Sequence, residues 1–492
     1  MAMIRSDIML SRFYVSNFRS FNKVTEFTML SGREKRHENQ LIEYEDFSLL
    51  NKSVIYGANA SGKSNLVKAL HFSKDIILHG IPEDYDFNNE YFRILPENKG
   101  LESMFQYELI CGQKMYLYGF DMIISTGEIT KEWLCEVINK KPCMIFERNN
   151  QDKTFHLKSI IKNKKIKEKY DVYTDDILYD NKSLFLQVIS EKDDKVKEAL
   201  PALSDVTEWF RKLTIIYPDT TIRNLFSLFF RDHYAVSIKN LLEFFDTGIN
   251  DYQLIDSNLA EIESIMPPKI FEDFHKDLQK SVQEVLQKVK ESEDSRSDRP
   301  ETMSISLNTP KDIFEISFDL PSAFSKSEGF DIDQKMSIKK LVFLHRGSKS
   351  ARFNFNEESD GTKRLIELLD IIINKDDQRI YVIDELDRSL HPKLTKKFIE
   401  AFDMFAKNKK KQLIVTTHES SLMDQSLLRR DSIWFVERTA HSESELLSLD
   451  AFKERYDKKI EKAYLEGRYG AIPVFREISF LCDEKDGDRL CP

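Results

Sequence analysis

The octapeptide Gly57-Ala58-Asn59-Ala60-Ser61-Gly62-Lys63-Ser64 constrains the fold of this chain more than any other feature. It fits G-x-x-x-x-G-K-[ST] and stands where that pattern has meaning, after the β-rich run Ser53-Val54-Ile55-Tyr56 and before the helix-like run Asn65-Leu66-Val67-Lys68-Ala69-Leu70. Glycines let the backbone curl until its N–H groups face a phosphate, and the helix that follows adds positive potential at its N-terminus. Lys63 is then placed to reach the β- and γ-phosphates of ATP, and the Ser64 hydroxyl to ligate Mg²⁺.

The run Arg379-Ile380-Tyr381-Val382-Ile383 leads to a second chemical feature, Asp384-Glu385. A carboxylate at the end of a buried strand loses its hydration unless it meets a cation. Asp384 is therefore read as holding Mg²⁺, directly or through water, and Glu385 as the base that polarises the attacking water. An Asp-Glu pair capping a helix is the structural alternative. The next β-rich run, Gln412 to Thr417, ends at His418, placed to touch the γ-phosphate, with a structural histidine as the alternative.

A third feature, Glu358-Ser359-Asp360-Gly361-Thr362-Lys363-Arg364, precedes the apolar helical run Leu365 to Ile373. A Ser-x-Gly turn at a helix N-terminus is a second anion site, yet one ATP has a single γ-phosphate. Two chains arranged head to tail resolve the surplus; a plain N-cap is the alternative.

The remaining chain arranges itself around these motifs. At 492 residues, two or three structural units are expected. Aromatic segments from Phe105 to Trp133, broken by Gly112 and Gly127, read as antiparallel hairpins, so residues 1–150 are expected to form the first half of an α/β domain with a β-subdomain. Residues 151–335 turn charged and leucine-containing with helical spacing and read as a mainly helical insertion. Within it, Ile270, Phe274, Leu278, Val282, Val285 and Val289 mark one amphipathic helix opening after Pro267-Pro268 and closing in Glu291 to Arg299. It is either an interaction arm or an ordinary packed helix. Residues 336–492 return to α/β and supply the second half of the split domain, with a helix expected over Lys393 to Ala406.

At this point the chain resembles a known class. Its motifs look like those of ABC-type ATPases of the SMC and RecF kind: residues 57–64 resemble Walker A, Ser359-Asp360-Gly361-Thr362 the ABC signature, Ile380 to Glu385 Walker B, Asp387 the D-loop and His418 the switch histidine. Val15-Ser16-Asn17-Phe18-Arg19-Ser20-Phe21 is similar to the N-x-R/K-S strand opening of that class. More narrowly, Tyr56 to Asn65, His345, Glu358 to Leu365 and Tyr464 to Pro473 resemble the AAA ATPases of bacterial anti-phage loci, of the abortive-infection (AbiL-type) and PARIS- or Septu-like kinds. The resemblance implies an ABC/SMC/RecF-like P-loop NTPase head. Its implied nucleotide contacts are Gly57, Asn59, Ser61, Gly62, Lys63, Ser64, Asn65, Arg19, Ser359, Gly361 and Asp387, with Glu385, Lys63 and His418 catalytic and Ser64 and Asp384 on the metal. The class often has a Q-loop glutamine; here Tyr91-Phe92-Arg93 occupies that region, and Gln106 and Gln113 fall in the expected hairpins.

Composition narrows the function. A formal charge of −10 with pI near 5.7 repels polyanions, so nucleic-acid contact needs a local basic patch. Lys158 to Lys169 and Lys407 to Lys411 are such clusters, without interleaved aromatics. The five cysteines, Cys111, Cys135, Cys143, Cys482 and Cys491, form no Cys-x-x-Cys pair and are expected to be reduced thiols. The N-terminus lacks the apolar core of a signal peptide and no run suits a membrane span, so a cytoplasmic protein is expected. The leading expectation is a defence-system sensor ATPase, homo-oligomeric through a head-to-tail ATP sandwich, that responds to a phage protein and controls a toxin or nuclease in trans. A RecF-like DNA-repair ATPase is the alternative. A nuclease in cis is disfavoured, because Asp486-Gly487-Asp488 lies in a polar tail with no β-run before it.

Overall fold

The fold is described from a computed structural model over residues 7–82, 85–158, 161–218, 228–291, 302–309, 311–319, 336–347, 351–373, 379–406, 409–452 and 460–469. Lys407, Asn408, the polar run after Glu291, Gly470 to Pro473, Cys482, the Asp486-Gly487-Asp488 triplet and Cys491 lie outside the described residues. The chain divides into two compact units: Met1–Ile215 with Gln378–Glu385 and Lys410–Pro492, and Ile216–Asp377 with Leu386–Lys409.

The first unit is α/β; among the described residues it holds two large sheets and a two-stranded one, Leu41–Glu43 with Ser48–Leu50. A six-stranded sheet contains β1 (Lys52–Tyr56), β2 (Ile380–Ile383), β3 (Gln412–Thr416), β4 (Ile433–Arg438) and β5 (Ser444–Ser448) in the order β2-β3-β1-β4-β5, with Leu213–Ile216 outside β2. β2, β3, β1 and β4 run parallel, and β5 returns antiparallel. Every residue of β1, β2 and β3 is buried, which explains why each carries an unbroken apolar stretch, Val54-Ile55-Tyr56, Ile380 to Ile383 and Leu413-Ile414-Val415, rather than an alternating pattern. The helix α1 (Lys63–His79) leaves β1 through the glycine loop and buries Leu66, Val67, Ala69, Leu70, Phe72, Ile76 and Ile77. Its N-terminus, rather than a side-chain cap, ends at the loop.

The second sheet of this unit is a seven-stranded antiparallel meander. Its strands follow the order Thr154–Leu157, Lys141–Asn149, Glu128–Ile138, Lys114–Ile123, Ser103–Cys111, Ile8–Ser16, Thr25–Thr28. The helix Pro201–Lys212 packs on it and on α1. There Trp209 donates from Nε1 to the Met9 carbonyl at 2.9 Å, and the Tyr107 ring meets Phe210 edge-on at 4.9 Å. Two fully buried charges tie the segment after the meander to it. Glu132 accepts from the Phe185 and Leu186 amides at 2.6 and 3.0 Å and from the Tyr118 hydroxyl at 3.1 Å. Arg148, 4.0 Å from Glu132, donates to the carbonyls of Ile177 and Ser183 at 2.6 and 2.7 Å and to that of Asp180. The helices over 164–212 thus belong to the same unit as the β-subdomain.

The second unit has its own antiparallel sheet, in the order Ile249–Ser257, Met336–His345, Ile313–Asp319, Thr302–Asn308, with Arg352–Phe353 added beside Met336–His345. Three of these strands fall within 151–335, a sheet that helical spacing alone did not anticipate. The amphipathic helix α2 (Pro268–Glu291) lies on it: Leu278 and Val282 share a core with Ile262, Phe314, Ile316, Phe318 and Ile338, and Phe271 and Phe274 pack at its margin. Ile270, assigned by spacing to the apolar stripe, is 54% exposed, because the stripe passes through Phe271 instead. α3 (Asp360–Ile373) buries Arg364, Leu365, Ile366, Leu368, Leu369, Ile371, Ile372 and Ile373, leaves Glu367 and Asp370 half-buried, and packs against α4 (Pro392–Ala406) and the helix Ala235–Phe244.

Candidate functional site

The turn from β1 into α1 is built of backbone conformations that few residues adopt. Ala60 has φ 61° and Gly62 φ 117°. A Cβ on Gly62 would lie 2.2 Å from Ser444 Oγ, and one on Gly57 would lie 2.6 Å from the Val436 carbonyl. Glycine is needed at both positions for space, and at Gly62 for conformation as well. Neighbouring elements brace the loop: Ser444 donates from Oγ to the Ser61 carbonyl at 2.5 Å and from its amide to the Ser20 carbonyl at 2.7 Å, while Asn65 Nδ2 donates to Ser20 Oγ at 2.8 Å.

Inside this frame the charged groups converge. Lys63 is 4% exposed, and its ammonium donates to the carbonyls of Gly57 and Ala58 at 2.7 and 3.0 Å while lying 3.3 Å from His418 Nδ1. Ser64 Oγ donates to Asp384 Oδ1 at 3.1 Å. Thr416 Oγ1 donates to the same carboxylate oxygen at 2.6 Å and accepts from the Glu385 amide at 2.8 Å. Thr416 had no role in the sequence reading; the parallel register, which pairs Ile383 with Val415, sets Thr416 beside Asp384 and is the signal that identifies it. Glu385 holds φ 50°. Arg19, also at positive φ, pairs with Glu90 at 2.6 Å through Nη2 and donates its amide to the Glu90 carbonyl at 2.7 Å.

Of these groups Arg19, Lys63, Ser64, Glu385 and His418 line one cavity of about 730 Å³, which is bounded also by Asn59, Gly62, Asn65, Asn89, Tyr91, Arg93, Ile94, Arg438 and Ser442. The Tyr91-Phe92-Arg93 segment, in the region where the resembled class often has its Q-loop, borders the site, with Phe92 buried and its amide donating to Asn17 Oδ1 at 3.3 Å. The donor set suits a Mg²⁺ nucleotide: a hydroxyl and a buried carboxylate share one hydrogen bond, and the buried Ser61 Oγ has no hydrogen-bond partner among the described residues. Ser64 and Asp384 are the residues that would hold the metal.

Ser359, Gly361 and Asp387 belong to the second unit. Ser359 is exposed and caps α3, sharing a 2.8 Å hydroxyl contact with Thr362 and accepting the Thr362 amide at 3.2 Å. A Cβ on Gly361 would lie 2.8 Å from the Ser389 carbonyl, so the turn packs tightly against the loop that Asp387 opens. Glu358, buried just before it, meets His345 Nε2 at 2.7 Å.

Lys158, Lys162, Lys164, Lys165, Lys167 and Lys169 are all exposed. Lys169 pairs with Asp193 on the exposed surface, Lys410 pairs with Asp7, and Lys411 is buried. Tyr469, from the Gly467-Arg468-Tyr469 turn, is buried and stacks on Phe435 of β4 at 5.1 Å. Among the described residues no helix is long and apolar enough to cross a membrane, and no group of three or more His, Cys, Asp or Glu is placed to hold a metal.

A family model described as "AAA domain, putative AbiEii toxin, Type IV TA system" matches residues 52–424. No curated protein matches the chain. Among solved structures, it is similar to an SMC head bound to the C-winged helix domain of ScpA (12% identity, 90% of this chain and 99% of that one, TM-score 0.35). It is also similar to the SMC head domain from Thermotoga maritima (12%, 89% and 98%, 0.35). A third is an Smc head domain with an extended coiled coil bound to the C-terminal domain of ScpA derived from Pyrococcus furiosus (12%, 94% and 100%, 0.34).

Proposed function

The chain belongs to this family of AAA-domain ATPases, and from that premise we propose that it binds and hydrolyses ATP as the sensor or scaffold of an anti-phage defence system, controlling a separate toxin or nuclease. The observation that carries the ATPase part is the meeting of Ser64, Asp384 and Thr416 next to the glycine loop. A hydroxyl and a carboxylate brought together from two elements 320 residues apart in sequence are what a metal–nucleotide site requires.

In this reading the amides of residues 59–64 and the N-terminus of α1 receive the phosphates. Lys63 exchanges the Gly57 and Ala58 carbonyls for the β- and γ-phosphate oxygens, an exchange of one set of acceptors for a more strongly negative one. Ser64 and Asp384 would hold Mg²⁺, which when bound would neutralise charge on the phosphates. Glu385, bordering the cavity with its amide fixed by Thr416, orients the attacking water and draws its proton. His418 contacts the γ-phosphate, so the occupied and spent states differ at the end of β3. Ser359 and Gly361 of a second copy complete the site across a head-to-tail interface, with Asp387 beside it, which ties assembly to nucleotide state. A phage-derived trigger shifts this two-state element and releases the effector.

The experiment is nucleotide binding and phosphate release by the purified chain and by Lys63→Ala. The variant is expected to lose binding altogether; hydrolysis at the parent rate by Lys63→Ala overturns the assignment. In cells that carry the neighbouring genes, Lys63→Ala and Glu385→Gln are both expected to lose phage protection. Full protection by this gene alone overturns control of an effector in trans.

A further inference from the structure

The cavity continues past the groups that face phosphate. Its remaining wall comes from two segments: Asn89, Tyr91 and Ile94 on one, and Arg438 and Ser442 at the β4–β5 turn on the other. We infer that these segments form the nucleoside subsite, with Arg438 and Tyr91 enclosing the base; the inference rests on the reading of the glycine loop as a phosphate site.

The β4–β5 turn is fixed to the loop rather than loosely beside it. Arg438 pairs with Ser444 in the antiparallel ladder, and it is Ser444 whose hydroxyl donates to the Ser61 carbonyl and whose Oγ fills the space a Gly62 side chain would need. Thr439 and Glu443 close the turn with an amide-to-carbonyl bond of 2.8 Å, and the Ser442 amide donates to the Thr439 carbonyl at 2.9 Å. The backbone of Arg438 is thereby held at a set place relative to residues 61 and 62.

Its side chain is exposed and, among the described residues, has no ion-pair partner. The other cations of the cavity are engaged. Arg19 is paired with Glu90, Lys63 is bonded to the loop carbonyls, and Arg93 donates to Asn89 Oδ1 at 2.8 Å.

The company Arg438 keeps decides what it binds. Phosphate already has the loop amides, the α1 N-terminus and Lys63. The same cavity is lined by an aromatic ring, Tyr91, and an aliphatic side chain, Ile94, that is 54% exposed. A planar guanidinium in a cavity that an aromatic and an aliphatic residue also line suits a flat, apolar-faced ligand, which it meets by stacking. The part of ATP with that character is the purine base; the hydroxyl of Ser442 and the amide of Asn89 suit the ribose.

The test compares two probes that share phosphates but not a base. Binding of Mg·ATP and of Mg·tripolyphosphate is measured by calorimetry for the parent, Arg438→Ala, Arg438→Lys and Tyr91→Leu chains. Arg438→Ala is expected to weaken ATP about tenfold and Tyr91→Leu about fivefold, with tripolyphosphate unchanged, since stacking is lost and phosphate contacts are not. Arg438→Lys, which keeps the charge but not the plane, is expected to resemble Arg438→Ala. Retained tripolyphosphate binding also shows that each variant is folded. Equal weakening of both probes would make Arg438 a phosphate ligand and overturn the inference, as would no change in either. A parent chain that binds neither probe removes the phosphate-loop reading itself and the inference with it.

Discussion

Thr416 Oγ1 donates a 2.6 Å hydrogen bond to Asp384 Oδ1 and accepts the Glu385 amide, so one hydroxyl on β3 orients both members of the acidic pair at the end of β2. Thr416→Val keeps the shape and removes both bonds. The buried Asp384 carboxylate loses a donor and the Glu385 amide its acceptor, an expected cost of about 1–3 kcal/mol in stability. ATP hydrolysis is expected to fall at least tenfold while ATP affinity falls less, because the phosphate loop is untouched. Thr416→Ser should restore most of the rate. Steady-state kinetics of the three proteins decide it, and a Thr416→Val chain with the parent kcat removes Thr416 from the site.

The contrast between Gly62 and Thr416 shows what was legible in sequence. Gly62 announces itself, since a glycine before Lys-Ser at the start of a helical run has a recognisable backbone task, and it stands at φ 117° against Ser444. Thr416 is one more β-branched residue in a β-rich run; its role exists only once the parallel register sets it next to Asp384, 32 residues earlier in the chain. The same holds for the second unit. Met303, Ile305 and Leu307 alternate with polar residues in the manner of a strand buried on one face, but the charged, helix-rich stretches around them dominate the composition of 151–335. Arg438 was invisible for a third reason: its position depends on a hairpin pinned to the loop through Ser444, a contact across 383 residues.

Glu132 and Arg148 hold the helical segment after the meander to its sheet. In Arg148→Met the carbonyls of Ile177, Asp180 and Ser183 lose their donor and Glu132 its nearest positive charge. Burial already raises the Glu132 carboxyl above its ordinary value, opposed by Arg148 and by the Phe185 and Leu186 amides. The expected loss is about 3–5 kcal/mol, the range for stranding one member of a buried pair. Urea denaturation reads it, and the double variant Glu132→Gln/Arg148→Met is expected to lose less than the sum of the single changes. Additive losses would mean the two residues act separately.

Asp121 gives the molecule a defined response to acid. Burial, then the neighbouring charge of Glu102, pushes its carboxyl up to about 6, against the pull of Lys131. Because the folded value lies above the unfolded one, the folded chain holds the proton more tightly. This contribution to stability is full below about pH 4 and is lost as pH rises through about 6. Asp121→Asn, neutral throughout, is expected to be more stable than the parent at pH 7 by about 1–3 kcal/mol and to converge with it near pH 4. Unfolding curves at pH 4, 5, 6 and 7 test this; a difference independent of pH excludes the titration of Asp121 as its source.

The proposed head-to-tail assembly makes its own demand on Glu385 and Ser359. If Glu385 acts on the attacking water, Glu385→Gln binds ATP yet hydrolyses it at least a hundredfold more slowly, in line with loss of a general base. The closed form then accumulates, and light scattering of Glu385→Gln with ATP and Mg²⁺ is expected to show twice the mass seen without nucleotide. Ser359 is exposed at the start of α3, so a large cation there is tolerated within its own unit. The pair Glu385→Gln/Ser359→Arg is therefore expected to remain monomeric and still to bind ATP, though more weakly than Glu385→Gln, because the obstruction removes the stabilisation that assembly lends the bound nucleotide and leaves the phosphate loop intact. A double variant that still doubles its mass places the interface elsewhere. If Glu385→Gln is itself monomeric at micromolar concentration with ATP bound, the nucleotide is not sandwiched between copies, and Ser359 is no more than the cap of its helix.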